Sequence, residues 1–153
     1  MSPMEDRVDV GGDVIAFHVT SEMTAGALIA YDAVFAPGGG PPMLHRHDAY
    51  ELYRVERGEL TFYVEDDAGE PVRAVARPGS VVAIPGGREH TIRNESPAEA
   101  RAFAVLAPGT EIERFARAAG QLTAHGAASM DQVLALAAAS GIEITRPIPE
   151  VSR

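Results

Sequence analysis

From about residue 8 to about residue 107 the chain runs as short apolar and polar alternations broken by clusters of Gly, Pro and Asp, the punctuation of an all-β barrel or sandwich. Ile15, Phe17 and Val19 alternate with Ala16, His18 and Thr20. Leu60, Phe62 and Val64 alternate with Glu59, Thr61, Tyr63 and Glu65. A side-chain period of two puts each apolar set on one face, so the pattern predicts strands that bury a single side. Asp66-Asp67-Ala68-Gly69 reads as a turn, and Gly38-Gly39-Gly40-Pro41-Pro42 is a break that no strand or helix crosses.

After Pro108-Gly109 the period becomes helical. Glu113 to Ala119 combines helix formers with a Glu113–Arg117 pair at i, i+4, and Met130 to Ser140 predicts a second helix. Ser129 stands three residues before Gln132, as in a capping box, and Gly141 stands where helices commonly stop. Met130, Val133, Leu134 and Leu136 to Ala137 form an apolar stripe. The helical tail, about 110–141, is therefore expected to cover the barrel rather than to carry a site. The end from Pro147 to Arg153 is expected to fray.

Composition narrows the function. The 153 residues fit one domain spanning 1–153. Lys and Arg number 13 against 22 Asp and Glu, a formal charge of −9 that repels phosphate backbones and anionic lipid, so neither nucleic acid nor a membrane is an expected partner. The absence of cysteine removes disulfides, thiolate catalysis and zinc-finger sites together. The longest strictly apolar run, Val133 to Ala139, is seven residues, far short of a membrane span. The amino end has no basic region leading into an apolar stretch, so a cytoplasmic protein is expected.

Four potential metal ligands fall in two short clusters. His45 and His47 are two apart in a predicted strand, which sends both imidazoles to one face, and Glu51 has the same parity. His90 follows a second glycine-rich stretch, Pro85-Gly86-Gly87, and is expected on a strand facing the first across the barrel. Three neutral imidazoles and a carboxylate suit divalent first-row ions of borderline softness. Tyr53 shares the ligands' parity and can line the same cavity, with Met43, Phe62 and Phe103 as further lining candidates. His18, on the polar face of its strand, and His125, in the linker Leu122 to Gly126, are expected to be solvated.

These clusters carry a resemblance to the cupin superfamily. Its first motif is met by Gly39, His45, His47, Glu51 and Gly58, its second by Gly79, Pro85, Gly87, His90 and Asn94, with no fixed position departing. A spacer of twenty residues separates Gly58 from Gly79, as in compact microbial members. The resemblance implies a cupin double-stranded β-helix, a jelly-roll barrel over about 8–107 with a short C-terminal helical extension. It also implies one divalent ion, Fe, Mn, Ni or Zn, on His45, His47, Glu51 and His90. The chain resembles small bacterial single-domain members of the quercetin dioxygenase-like type. That implies a metal-dependent oxygenase of a small hydroxylated or aromatic metabolite, in which Glu51 also takes a substrate proton. The alternatives are a non-redox isomerase, lyase or polyketide cyclase using Zn or Ni, and a non-catalytic small-molecule binder. Some cupins are sensor domains with a helix-turn-helix segment, which the roughly eight residues before the first strand do not supply. Pairing through exposed edge strands makes a homodimer the expected assembly.

Overall fold

The computed structural model describes residues 6–149. Ten strands run in order before the helices: β1 (Asp6–Val10), β2 (Asp13–Val19), β3 (Ile29–Phe35), β4 (Met43–Arg46), β5 (Tyr50–Arg57), β6 (Leu60–Glu65), β7 (Pro71–Ala76), β8 (Val81–Ile84), β9 (His90–Arg93) and β10 (Ala100–Ala107). Then come α1 (Thr110–Thr123), α2 (Met130–Ala139) and a last strand, β11 (Glu143–Pro147). One sheet has the order β1-β2-β3-β10-β5-β8, the other β11-β4-β9-β6-β7, and every pairing is antiparallel. This is the all-β, two-sheet architecture expected of a jelly-roll barrel, with helices after the tenth strand.

The period-two pattern sorts residues between the sheets. Phe17, Tyr31, Ala33, Phe35, Tyr53 and Val55 from one sheet meet Leu60, Phe62, Ala76 and Ile92 from the other in a single buried cluster. Central strand β10 contributes small Ala100, Ala102 and Ala104, which makes room for the aromatic rings of its neighbours. One expectation needs correcting. Strand β6 buries both faces, because Thr61 and Tyr63 are covered as fully as Leu60 and Phe62. The Tyr63 hydroxyl donates to Glu95, which in turn accepts from Arg73, so a polar cluster lies over that face.

Two glycines show why the backbone needs them. Gly58 joins β5 to β6 at φ +71°, and a Cβ there would lie 2.7 Å from the Glu99 carbonyl oxygen. Gly120 sits inside α1 against β1, where a Cβ would approach the Asp9 carbonyl oxygen to 3.1 Å. That close approach accounts for a glycine inside α1, which runs from Thr110 to Thr123, beyond the 113–119 core of the sequence pattern. The Glu113–Arg117 pair forms at 3.0 Å, and the same guanidinium grips both Asp6 oxygens at 2.8 and 2.6 Å while covering the Phe17 ring.

At α2 the expected capping box is present: the Ser129 hydroxyl accepts from Gln132 N at 3.2 Å, and Gln132 Oε1 accepts from Ser129 N at 2.9 Å. The chain then returns to the barrel, which the sequence pattern did not anticipate. Strand β11 pairs with β4, setting Ile144 opposite His45, and Arg146 fastens it by hydrogen bonds to the buried Glu89 carboxylate, the shortest 2.8 Å. Pro147, the first residue of the end expected to fray, is instead paired with Met43; residues 150–153, like the amino end at 1–5, lie outside the described residues. Among the described residues no helix is long and apolar enough to cross a membrane.

Candidate metal centre

His45 lies on β4, and His47 follows directly after the strand's last residue. His90 opens β9 and is the in-register partner of His45. It therefore comes from the neighbouring strand of the same sheet, not from across the barrel as the sequence spacing alone suggested. Glu51 makes the crossing instead, projecting inward from β5 of the opposite sheet. The two motif loops are tied together where they meet, since Gly87 N donates to the His47 carbonyl at 2.8 Å. Asn94 closes the second motif as a buried turn residue. Its Nδ2 donates to the Phe35 and Ala98 carbonyls at 3.0 and 2.8 Å, and its Oδ1 accepts from Ser96.

One nitrogen from each of His45, His47 and His90 lies within 4.8 Å of the others, a spacing at which three imidazoles can hold a metal ion. The ring centroids are 4.5 Å apart for His45 and His90, 5.0 Å for His47 and His90, and 5.9 Å for His45 and His47. Backbone carbonyls set two of the tautomers. His45 Nδ1 faces the Met43 carbonyl at 3.1 Å and His90 Nδ1 faces that of Arg88 at 2.8 Å. A carbonyl only accepts, so each Nδ1 carries the proton and each Nε2 keeps a lone pair for a cation.

Glu51 Oε2 stands 3.2 Å from His47 Nε2 and also against His90 Nε2. Neither Glu51 Oε2 nor His90 Nε2 has a hydrogen-bond partner of proper geometry among the described residues, although both are buried. Buried polar atoms that crowd together without hydrogen bonds are what a shared cation would satisfy. The residues present thus fit a divalent ion, by chemistry and by placement.

Burial raises the Glu51 carboxyl, but the His47 and His90 rings beside it outweigh that and hold it well below the usual carboxylate range. Burial, together with neighbouring His90, pushes His45 down to about 4. Burial also lowers His90, yet Glu51 more than compensates and leaves it above the ordinary imidazole value. On acidification His90 therefore takes a proton before His45. Since a protonated imidazole cannot ligate, metal occupancy is expected to fall as the pH drops below about 6. Dialysis against buffers of falling pH followed by elemental analysis checks this; occupancy constant down to about pH 4 would contradict histidine ligation.

The four lining candidates separate. Tyr53 is buried, and its hydroxyl donates to Glu51 Oε1 at 2.6 Å. Phe62 is 1% exposed and meets the Tyr53 ring edge-on at 5.6 Å, so it backs the site from the core. Met43 is half-buried at the start of β4 and contributes its carbonyl to His45. Phe103 is the exception: it alternates with buried Ala102 and Ala104, and lies on the outer face against His18 and beneath Arg54. Its strand parity is opposite to that of the inward set. His18 is exposed and pairs with Asp32 at 2.8 Å, and His125 is exposed in its linker.

Tyr31 was not anticipated. It is buried on β3, in the in-register row that runs through Ala104 to Tyr53. Burial, then the Glu51 charge, raises both phenols, so both keep their protons at neutral pH. The alternation Tyr31, Ala33, Phe35 puts Tyr31 on an inner face, but only the strand order brings it to Tyr53.

Comparison with known proteins identifies the framework. Residues 31–106 match the cupin domain family model, a segment that contains all four candidate ligands. That segment, just under half of the chain, resembles a cupin domain. No curated protein matches it. Among solved structures, an oxalate oxidase in complex with the substrate analogue glycolate is 27% identical, with a TM-score of 0.54 over 68% of this chain and 58% of that one. Oxalate decarboxylase from Bacillus subtilis is 19% identical, with a TM-score of 0.60 over 70% of this chain and 28% of that one. A sugar phosphate isomerase of the cupin superfamily from Silicibacter pomeroyi is 19% identical, with a TM-score of 0.52 over 65% of this chain and 61% of that one. The last two share the cupin fold with this chain, and the chain spans less than two thirds of the length of each of the three.

Proposed function

We propose that this protein is a metal-dependent oxygenase acting on a small hydroxylated or aromatic metabolite. The observation that carries the reading is the convergence of three imidazoles from one sheet with one carboxylate from the other, around buried nitrogen and oxygen atoms that lack other partners. His45, His47 and His90 would hold the ion through their ring nitrogens, and Glu51 through Oε2. When bound, a divalent ion supplies a Lewis-acidic centre for a substrate oxygen and for dioxygen. The oxalate oxidase with bound glycolate supports a small oxygen-rich substrate, and hydroxy acids belong at the front of the test panel.

The chain's own residues divide the work. The rings of His45 and His90 are locked by backbone carbonyls, and so present their lone pairs without reorganising. Glu51 is the candidate proton acceptor for a substrate hydroxyl. With Oε1 already engaged by Tyr53, Oε2 would be the oxygen that takes that proton.

Anaerobic reconstitution with Fe(II), Mn(II) or Ni(II), followed by oxygen-uptake assays over hydroxy acids and polyphenols, tests the proposal. Metal-dependent uptake that Glu51→Gln abolishes is expected. No metal-dependent uptake with any substrate would contradict it, and turnover independent of oxygen would assign the site to isomerase or lyase chemistry instead.

A further inference from the structure

Glu51 is engaged at both oxygens. Oε2 faces His47 and His90, while Oε1 accepts the Tyr53 hydroxyl at 2.6 Å. Glu51 and Tyr53 project inward from β5 two residues apart, so the bond spans neighbours on one face of one strand. Beside them an in-register row crosses three strands: Tyr31 on β3 lies opposite Ala104 on β10, and Ala104 lies opposite Tyr53 on β5. Ala104 is completely buried. A methyl group at the centre of that row leaves the flanking phenols room to meet above it. Proton count sets the direction of the bond. A carboxylate only accepts, so Tyr53 donates to Glu51. The Phe62 edge against Tyr53 fixes the ring from the other sheet.

We propose that Tyr53, backed by Tyr31, is a positioning residue that holds Glu51 to one-oxygen coordination, keeping Oε1 off the ion that Oε2 and the imidazoles grip. The inference rests on the metal reading given above. A carboxylate free to turn can offer a cation both oxygens, and the second would fill a position that substrate needs. Turning Oε1 inward would break a short, charge-assisted hydrogen bond and strand a buried phenol without its acceptor. The row Tyr31–Ala104–Tyr53 thus acts as a stop on rotation of the carboxylate. It also gives a role to two phenol hydroxyls that β3 and β5 place in the core.

The test replaces the hydroxyl alone. Wild-type protein and Tyr53→Phe are stripped of metal and titrated with Co(II), reading the dissociation constant and the visible d–d absorption, with circular dichroism and thermal melting as controls for folding. The expected result is tighter Co(II) binding by Tyr53→Phe than by wild type, because the freed Oε1 adds a second carboxylate donor to the ion. A lower d–d intensity should accompany it, as both carboxylate oxygens engage and the coordination number rises. A merely structural tyrosine would shift the melting temperature and leave the Co(II) spectrum alone. Superimposable spectra and equal dissociation constants would overturn the proposal while leaving the metal reading intact; no Co(II) uptake by the wild-type chain would overturn both. Should Tyr53→Phe fail to fold, Tyr31→Phe answers the same question, with a smaller change in the same direction expected and an unchanged spectrum overturning the tether.

Discussion

His90→Gln is expected to weaken divalent-metal binding by roughly a hundredfold or more, since loss of a direct ligand should exceed the 10–100-fold effect of losing an outer-shell partner. His90 is the hub of the candidate centre. Its ring is packed against both other imidazoles, it faces Glu51 Oε2, and it is 2% exposed. Gln keeps the bulk and a hydrogen-bonding end but loses the imidazole donor, so the effect reports ligation rather than collapse of the site. Isothermal titration with Mn(II) or Co(II) measures it, with His18→Ala as the control. His18 is an exposed histidine on the outer face, and its loss should leave the affinity unchanged. Equal affinities for His90→Gln and wild type would mean that the ion binds elsewhere or not at all.

The second large effect concerns stability. Phe62→Ala removes a ring that is 1% exposed and sits between the two sheets against Tyr53. Deleting a buried phenylalanine of this kind costs about 3–5 kcal/mol, because the transfer free energy is lost and the surrounding core only partly collapses. For a chain of this size that corresponds to a melting temperature lower by roughly 10 °C. Urea unfolding followed by circular dichroism reads it directly. A loss below about 1 kcal/mol would show that Phe62 is not a core residue and would return it to the cavity wall.

The contrast between these residues shows what was legible in the sequence. The gathering of His45, His47 and His90 into one cluster was, because they sit at fixed spacings from glycines and prolines whose backbone roles are local. The capping box at Ser129 and Gln132 was legible for the same reason, since both bonds span three residues. The inward faces of β2 and β6 followed from alternation, though alternation could not tell that Tyr63 would be covered by Glu95 and Arg73.

What stayed hidden depends on sheet order. Nothing local in Glu143 to Pro147 indicates that β11 will pair with β4, a strand from the far end of the chain. Strand order likewise decides that His90 arrives beside His45 and that Glu51 arrives from the facing sheet. The meeting of Tyr31 with Tyr53 needs β10 between their strands and an alanine at position 104. Phe103 failed as a lining residue because hydrophobicity alone was followed where the parity of β10 assigns it outward, under Arg54. Periodicity assigns faces; only the long-range pairing of strands assigns neighbours.

The central claim is that His45, His47, Glu51 and His90 together hold one divalent ion. Elemental analysis of the chain purified without a chelating tag, beside His90→Gln prepared identically, tests it most directly. Close to one first-row metal per wild-type chain, and almost none in the variant, is the predicted result. Wild-type protein that stays metal-free after incubation with Fe(II), Mn(II), Ni(II) and Zn(II), or a variant that retains its full complement, would contradict it.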